Sequence, residues 1–232
     1  MPPSSRIRAG SLLVAESQSM KTVLSAIVNL SDVSEPVLIE GEPGSGRELI
    51  ARLLHHSSGR RHLDMVSIKA GAAPAEIVSC SEAEEFQNTF TTAQGGTLLV
   101  RDVCELQGRS QRKLSKMLDE SSWDVRVLAT SDPGLSAAVD AGMFYDPLLQ
   151  KLSQNTIVVP PLRDRREDIV SLMGQLVTAL AKDMGRTRIT VSTLANDTLL
   201  RYPWPGNVAE MKQVARRLVI RARGGRIEAA DV

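Results

Sequence analysis

Aromatic residues are scarce, with three Phe, two Tyr and two Trp among 232 residues. A nucleic-acid surface that stacks bases on rings therefore has little to build with. The densest basic cluster, Arg216, Arg217, Arg221, Arg223 and Arg226, has few aromatics beside it. It reads first as a solvated helix face, with a phosphate, DNA or nucleotide contact as the alternative. The only cysteines, Cys80 and Cys104, show no paired spacing, which suits a reducing cytoplasm and supplies no metal motif. Neither sign of charge dominates, the formal net charge being +1, so no global field recruits nucleic acid or membrane. The start, Met1-Pro2-Pro3-Ser4-Ser5-Arg6, lacks an apolar signal region. No apolar run approaches the ~18 residues of a membrane span. A soluble, cytoplasmic protein without membrane contact is expected. His55, His56 and His62 lack a matching carboxylate or cysteine set, so they read as helix-end residues and no metal site is expected. No Gly-x-Ser-x-Gly elbow or Cys–His pair points to nucleophilic catalysis.

Hydrophobic content is 42% and charged content 24%, ordinary for a globular chain long enough to bury a substantial core. After a polar lead-in, helical spacing runs through Met20, Val23, Leu24 and Ile27. Short apolar runs at 36–40, 65–68, 97–100, 125–129 and 156–159 alternate with helical stretches, notably Gln111–Leu118. That alternation predicts an α/β fold with a parallel sheet covered on both faces. The pattern changes after Pro160-Pro161. Asp164 with Glu167 predicts a capped helix start, and Ile169, Leu172, Met173, Leu176 and Leu180 form one apolar helix face. Helices over 192–201 and from Gly206-Asn207 onward follow, the latter burying Val208, Met211, Ala215 and Leu218. Residues 1–163 thus read as an α/β core and 164–232 as an all-helical subdomain.

Between the first strand and the next helix lies Gly41-Glu42-Pro43-Gly44-Ser45-Gly46-Arg47-Glu48. This is the frame of a phosphate-binding loop, G-x-x-x-x-G-K-[ST], in which backbone N–H groups curl around a phosphate. Here Arg47 replaces the lysine and Glu48 the hydroxyl that would hold Mg²⁺. A guanidinium neutralises phosphate but is bulkier and forked. Two readings of Arg47 follow, a residual phosphate contact or a solvated helix-start residue.

Four ordered landmarks carry a family resemblance. The segment Pro36–Ile50 resembles the phosphate loop of bacterial enhancer-binding proteins, the AAA+ activators of sigma-54 RNA polymerase. Gln94-Gly95-Gly96-Thr97-Leu98-Leu99 resembles the approach to the Walker B strand, and Pro160-Pro161-Leu162-Arg163-Asp164-Arg165 the start of the lid. Tyr202-Pro203-Trp204-Pro205-Gly206-Asn207-Val208 resembles the sensor II segment. The resemblance implies a P-loop α/β core plus a helical lid, with ATP or ADP bound by Gly41, Glu42, Pro43, Gly44, Ser45, Gly46, Arg47 and Glu48. In the family, hydrolysis in a hexameric ring remodels a promoter complex, and DNA is held by a separate domain. Such a domain is not expected within this chain, whose last residues match the end of the family's lid.

The family's catalytic positions are largely replaced. Walker B Asp-Glu corresponds to Arg101-Asp102, which puts a positive charge where a cation would be organised. Asp102, the one weak catalytic candidate, is a methylene shorter than Glu, and an exposed strand end is the plainer reading of the pair. Lys69 stands for the Asn that gates the glutamate, and Asp132 for the sensor Asn after Thr130-Ser131. Tyr145 and Lys151 stand at the two trans-acting arginines, whose loss alone removes a rate factor of about 10³–10⁵. Ala209 stands at the sensor II arginine. The sigma-contacting loop is replaced by 83–90, expected as a short helix with Phe86 and Phe90 in the core.

The reading that emerges is a non-hydrolytic regulator, a pseudo-ATPase. It would self-associate or join an active AAA+ paralogue, with RNA polymerase a possible partner. ATP or ADP would be a static ligand and Mg²⁺ is not expected. The alternatives are a slow ATPase using Arg47 and Asp102, or a cyclic-di-GMP-sensing regulator working with the housekeeping polymerase.

Overall fold

The computed structural model describes residues 13–71, 88–120, 122–186, 189–222 and 225–232. They divide into two packing units. One comprises Ser25–Gly41 and Arg47–Val159; the other comprises the chain up to Leu24, Glu42–Gly46 and Pro160–Val232. Helix α1 (Gln18–Leu30) begins in the second of these and ends in the first.

The larger unit holds a five-stranded sheet: β1 (Val37–Gly41), β2 (Met65–Lys69), β3 (Thr97–Arg101), β4 (Arg126–Ser131) and β5 (Thr156–Val159). Its order is β2-β3-β4-β1-β5 and every pairing is parallel. Parallel strands need crossover segments, which is why apolar runs alternate with α2 (Arg47–Ser57), α3 (Gly108–Asp119), α4 (Leu135–Asp140) and α5 (Asp146–Leu152). The central strands are buried on both faces, so β3 and β4 read as continuous runs rather than alternating ones. β5 lies at an edge and alternates exposed and buried residues. A single core joins Leu38, Leu98, Val127, Leu114, Phe90 and Leu148. Phe90 is 1% exposed within helical residues 88–92, as expected, whereas Phe86 and the rest of 83–87 fall outside the described residues.

The fourth strand runs to Ser131 and starts at Arg126, not Val125. A buried arginine can open it because the guanidinium caps the end of α1. Its two Nη atoms donate to Ser31 O and Leu30 O, each at 2.6 Å. The last carbonyls of a helix lack intrahelical partners, and a cation there also suits the helix dipole.

In the other unit, α6 (Glu167–Asp183), α7 (Thr193–Arg201) and α8 (Asn207–Arg221) bury a core of Leu172, Leu176, Trp204, Met211, Ala215 and Leu218. Val208 and Leu180 pack against it partly buried. Three expectations need correction. The subdomain is not all-helical, because Thr190–Val191 (β6) pairs in parallel with Arg226–Ile227 (β7). Asp164 does not cap α6 but lies in a 3₁₀ turn, Leu162–Asp164, and the residue preceding α6 is Arg166, without a side-chain cap. Val208 belongs to the margin of the core rather than its centre. Ser192 caps α7 by accepting from Ala195 N at 3.2 Å. Fully buried Asp168 accepts from Glu16 N, Ser17 N and Ser17 Oγ at 2.7–2.9 Å, tying the start of α1 to α6.

Candidate phosphate-loop site

Glu42–Gly46 packs with the helical residues of its own unit. Gly44 and Gly46 have φ of +78° and +112°, conformations only glycine adopts without strain. Glu42 accepts two hydrogen bonds from the Arg163 guanidinium, at 2.7 and 2.5 Å, and one from Asn207 Nδ2 at 3.2 Å. These bonds, Arg163's first, hold the Glu42 carboxyl at about 2, well below the ordinary carboxylate value. Asn207 is fully buried and brackets the turn: Nδ2 also donates to Pro43 O at 3.1 Å, and Oδ1 accepts from Leu162 N at 2.8 Å. Arg165 Nη2 donates to Ser45 O at 2.7 Å, and burial lowers its pKa from the ordinary arginine value. Ala209 N donates to Gly44 O at 3.3 Å. At the sensor II position, then, a methyl group sits against the loop's second glycine. Ser45 Oγ is buried and has no hydrogen-bond partner among the described residues.

Gly41, Arg47 and Glu48 belong to the sheet unit. Arg47 opens α2, and the reading of it as a solvated helix-start residue is corrected. Its Nη2 donates to Asp102 Oδ1 at 3.1 Å and its Nη1 to Asp132 Oδ1 at 2.6 Å, with only 10% of the side chain exposed. Asp102 follows β3 and Asp132 follows β4, adjacent strands of the sheet, so their carboxylates converge on one cation. Asp102 has a left-handed backbone (φ 54°), and its N–H donates to Thr130 Oγ1 at 3.0 Å. Such backbone persists where neighbours over-determine it. The expectation of an ordinary exposed strand end at 101–102 is therefore corrected: both residues are ion-paired. Arg101 Nη1 reaches Glu48 Oε1 at 3.1 Å.

The structure also places the other positions that the resemblance singled out. Lys69 is exposed at the end of β2. Lys151 Nζ donates to Ser115 O (2.7 Å), Ser115 Oγ (2.9 Å) and Asp119 Oδ2 (2.5 Å), so it is tied to α3. Tyr145, at the other finger position, is 36% exposed. His55, expected as an ordinary helix-end residue, is 4% exposed, with Nδ1 3.0 Å from Thr97 Oγ1. Burial, then the neighbouring His56 and Arg126, lower its pKa. Among the described residues no group of three or more His, Cys, Asp or Glu could hold a metal ion. No helix among them is long and apolar enough to cross a membrane. Of residues 83–90, expected in place of the sigma-contacting loop, 83–87 lie outside the described residues.

Comparison with known proteins accords with this geometry. Residues 14–162 match the sigma-54 interaction domain and residues 163–232 an AAA+ ATPase lid domain. The chain is 32% identical to the response regulator protein PilR of Pseudomonas aeruginosa over 95% of its length and 54% of that protein's. It is also 32% identical to the sigma54-dependent transcriptional regulator SfnR of Pseudomonas fluorescens, over 100% of this chain and 70% of that protein. The NtrX structure from Brucella abortus in complex with ATP superposes with a TM-score of 0.84 at 25% identity, covering 95% of this chain and 54% of that one. The chain thus spans about half the length of several relatives that it matches. An α/β parallel sheet, a glycine loop opening α2 and an AAA+ lid match make this chain a member of the sigma-54 interaction domain family of transcription regulators.

Proposed function

We propose that this chain is a non-hydrolytic AAA+ domain of a bacterial transcription regulator. It acts in the cytoplasm by assembling with copies of itself or with an active relative, and it does not remodel sigma-54 polymerase by ATP turnover. The boundary between core and lid falls near Arg163, giving 1–163 and 164–232.

The observation that carries this reading is the ion pair between Arg101 and Glu48. These are the two positions that in the family's pattern organise Mg²⁺, one from the strand end and one from the helix start. A guanidinium at one and a carboxylate at the other satisfy each other at 3.1 Å. A divalent cation placed beside Arg101 would meet a like charge, so the donor set does not fit a metal. Phosphoryl transfer depends on that cation to bridge the phosphates and neutralise developing charge. The binding of Lys151 to α3 points the same way. An amine held by three oxygens of its own subunit is not presented to a neighbour's nucleotide.

The loop itself keeps features that suit phosphate. Among the described residues Ser45 Oγ is a buried group without a partner, and a Cβ on Gly46 would meet no atom beyond its chain neighbours within 4 Å. A nucleotide, when bound, would be held by backbone N–H groups of Glu42–Gly46 as a static ligand, independent of Mg²⁺. The NtrX complexes with ADP and with ATP support that assignment by similarity.

The test measures phosphate release by the purified chain with ATP and Mg²⁺, alongside calorimetric titration with ATP and ADP with and without Mg²⁺. No release above a buffer blank, with binding unaffected by Mg²⁺, is the expected outcome. Release that Arg47→Ala abolishes would overturn the reading and favour the slow ATPase.

A further inference from the structure

We infer that Asp102 and Asp132 are built-in counter-anions: they hold the phosphate loop's only cation in place of a phosphate, making Arg47 a latent oxyanion site. This rests on the reading of Gly41–Glu48 as a phosphate loop, but not on whether the chain turns over ATP.

Three observations support it. First, the two Nη atoms of Arg47 are engaged by different carboxylates, at 3.1 and 2.6 Å, so the faces of the fork that would take phosphate oxygens are occupied. Second, the arrangement is held rather than incidental. Arg47 is 10% exposed, Asp102 is 26% exposed, and the left-handed backbone of Asp102 is pinned by the buried Thr130 hydroxyl. Third, the local charge is wrong for a polyphosphate. Arg47 and Arg101 contribute +2, and Glu48, Asp102 and Asp132 contribute −3, leaving −1. With both aspartates made neutral the same five residues carry +1.

An incoming phosphate must therefore displace two carboxylates that are tethered at short range and so have a high effective concentration at the guanidinium. The favoured ligand of such a site is one that needs little from Arg47. A bare inorganic polyphosphate, which has no base or ribose to make contacts elsewhere, is the disfavoured one. The internal ion cluster neutralises the loop cation at the ends of β3 and β4.

The probe is inorganic tripolyphosphate without divalent metal, titrated calorimetrically into the full chain. Wild-type protein is expected to bind it weakly, with Arg47→Met changing little. Asp102→Asn with Asp132→Asn should tighten binding at least ten-fold, and adding Arg47→Met should abolish that gain. Circular dichroism checks that the double variant folds. Asp132→Asn alone, at a side chain 49% exposed, provides a milder version with an expected gain of several-fold. A double or single variant that binds no better than wild type, or a gain that survives Arg47→Met, overturns the inference. Neither outcome bears on phosphate release, so the failure of this inference and the failure of the proposed function are read in different assays.

Discussion

Replacing Gly44 with alanine puts a Cβ 2.5 Å from the carbonyl oxygen of Gly206 and 2.9 Å from Ala209 Cβ. The oxygen belongs to backbone just before α8, so no rotamer change moves it aside. Overpacking of this kind costs about 1–3 kcal/mol. Gly44 also has φ +78°, where an L side chain adds about 1–2 kcal/mol of strain. The sum, about 2–5 kcal/mol, is a large share of a domain's usual ~5–15 kcal/mol. Urea unfolding measures it, followed by Trp204 fluorescence in a Trp123→Phe background. Trp204 is 1% exposed in the core of the same unit as Gly44 and is then the sole indole of the chain. Gly46→Ala is the partner experiment, because its φ is +112° while no atom lies within 4 Å of the added Cβ. Ala209→Gly should rescue a minor part of the Gly44→Ala loss and none of the Gly46→Ala loss, since it removes the 2.9 Å contact but leaves the 2.5 Å one. A Gly44→Ala loss under about 1 kcal/mol, or full rescue by Ala209→Gly, refutes the packing argument.

Other expectations follow from single contacts. Arg126→Met leaves the carbonyls of Leu30 and Ser31 without the guanidinium and should cost about 2–3 kcal/mol in urea titration, against near-neutrality for an exposed arginine such as Arg52. His55 is held neutral below its ordinary pKa, so the unfolded chain binds more protons. Stability should fall as pH drops below about 6.5 toward the folded-state value, and His55→Gln should flatten melting temperature between pH 7.5 and 5.5. An unchanged slope in that variant counts against it. Glu42 has a folded-state pKa of about 2, against 4.5 ordinarily, so its bond to Arg163 stabilises above pH 4.5 and is lost as pH falls through 2. Glu42→Gln should make the acid limb of the unfolding profile shallower over that window, with little change at pH 7 beyond the lost pair.

The sheet and its loop were legible in the sequence because their signals are local. Val37–Gly41 is a short apolar run ending in the glycine that opens the loop, and the following residues keep helical spacing. The lid helices were legible for the same reason: Ile169, Leu172, Met173 and Leu176 recur at the period of a helix and are buried as that period demands. The exceptions are instructive. A two-residue pairing such as β6–β7 has no periodicity to detect. A strand was expected over 125–129, but nothing in the run showed how Arg126 could be buried in it, because its partners are carbonyls at the end of α1, 95 and 96 positions away. His55 looked like a helix end because Thr97, its partner, arrives from β3. In the candidate site, the glycines, Arg47 and Asp102 could be picked out by their places in a pattern. Their partnerships could not.

By itself, then, the sequence determined the alternation of the sheet strands with helices, the helices of the lid and the glycine frame of the loop. Covalent spacing and side-chain period carry that information along the chain. Only the tertiary structure decided which charges neutralise one another. Arg47 meets Asp102 and Asp132 across 55 and 85 residues, Arg101 meets Glu48 across 53, and Arg163 meets Glu42 across 121. Ion pairing depends on distance in space and leaves no period in sequence, so these partnerships are visible only in three dimensions.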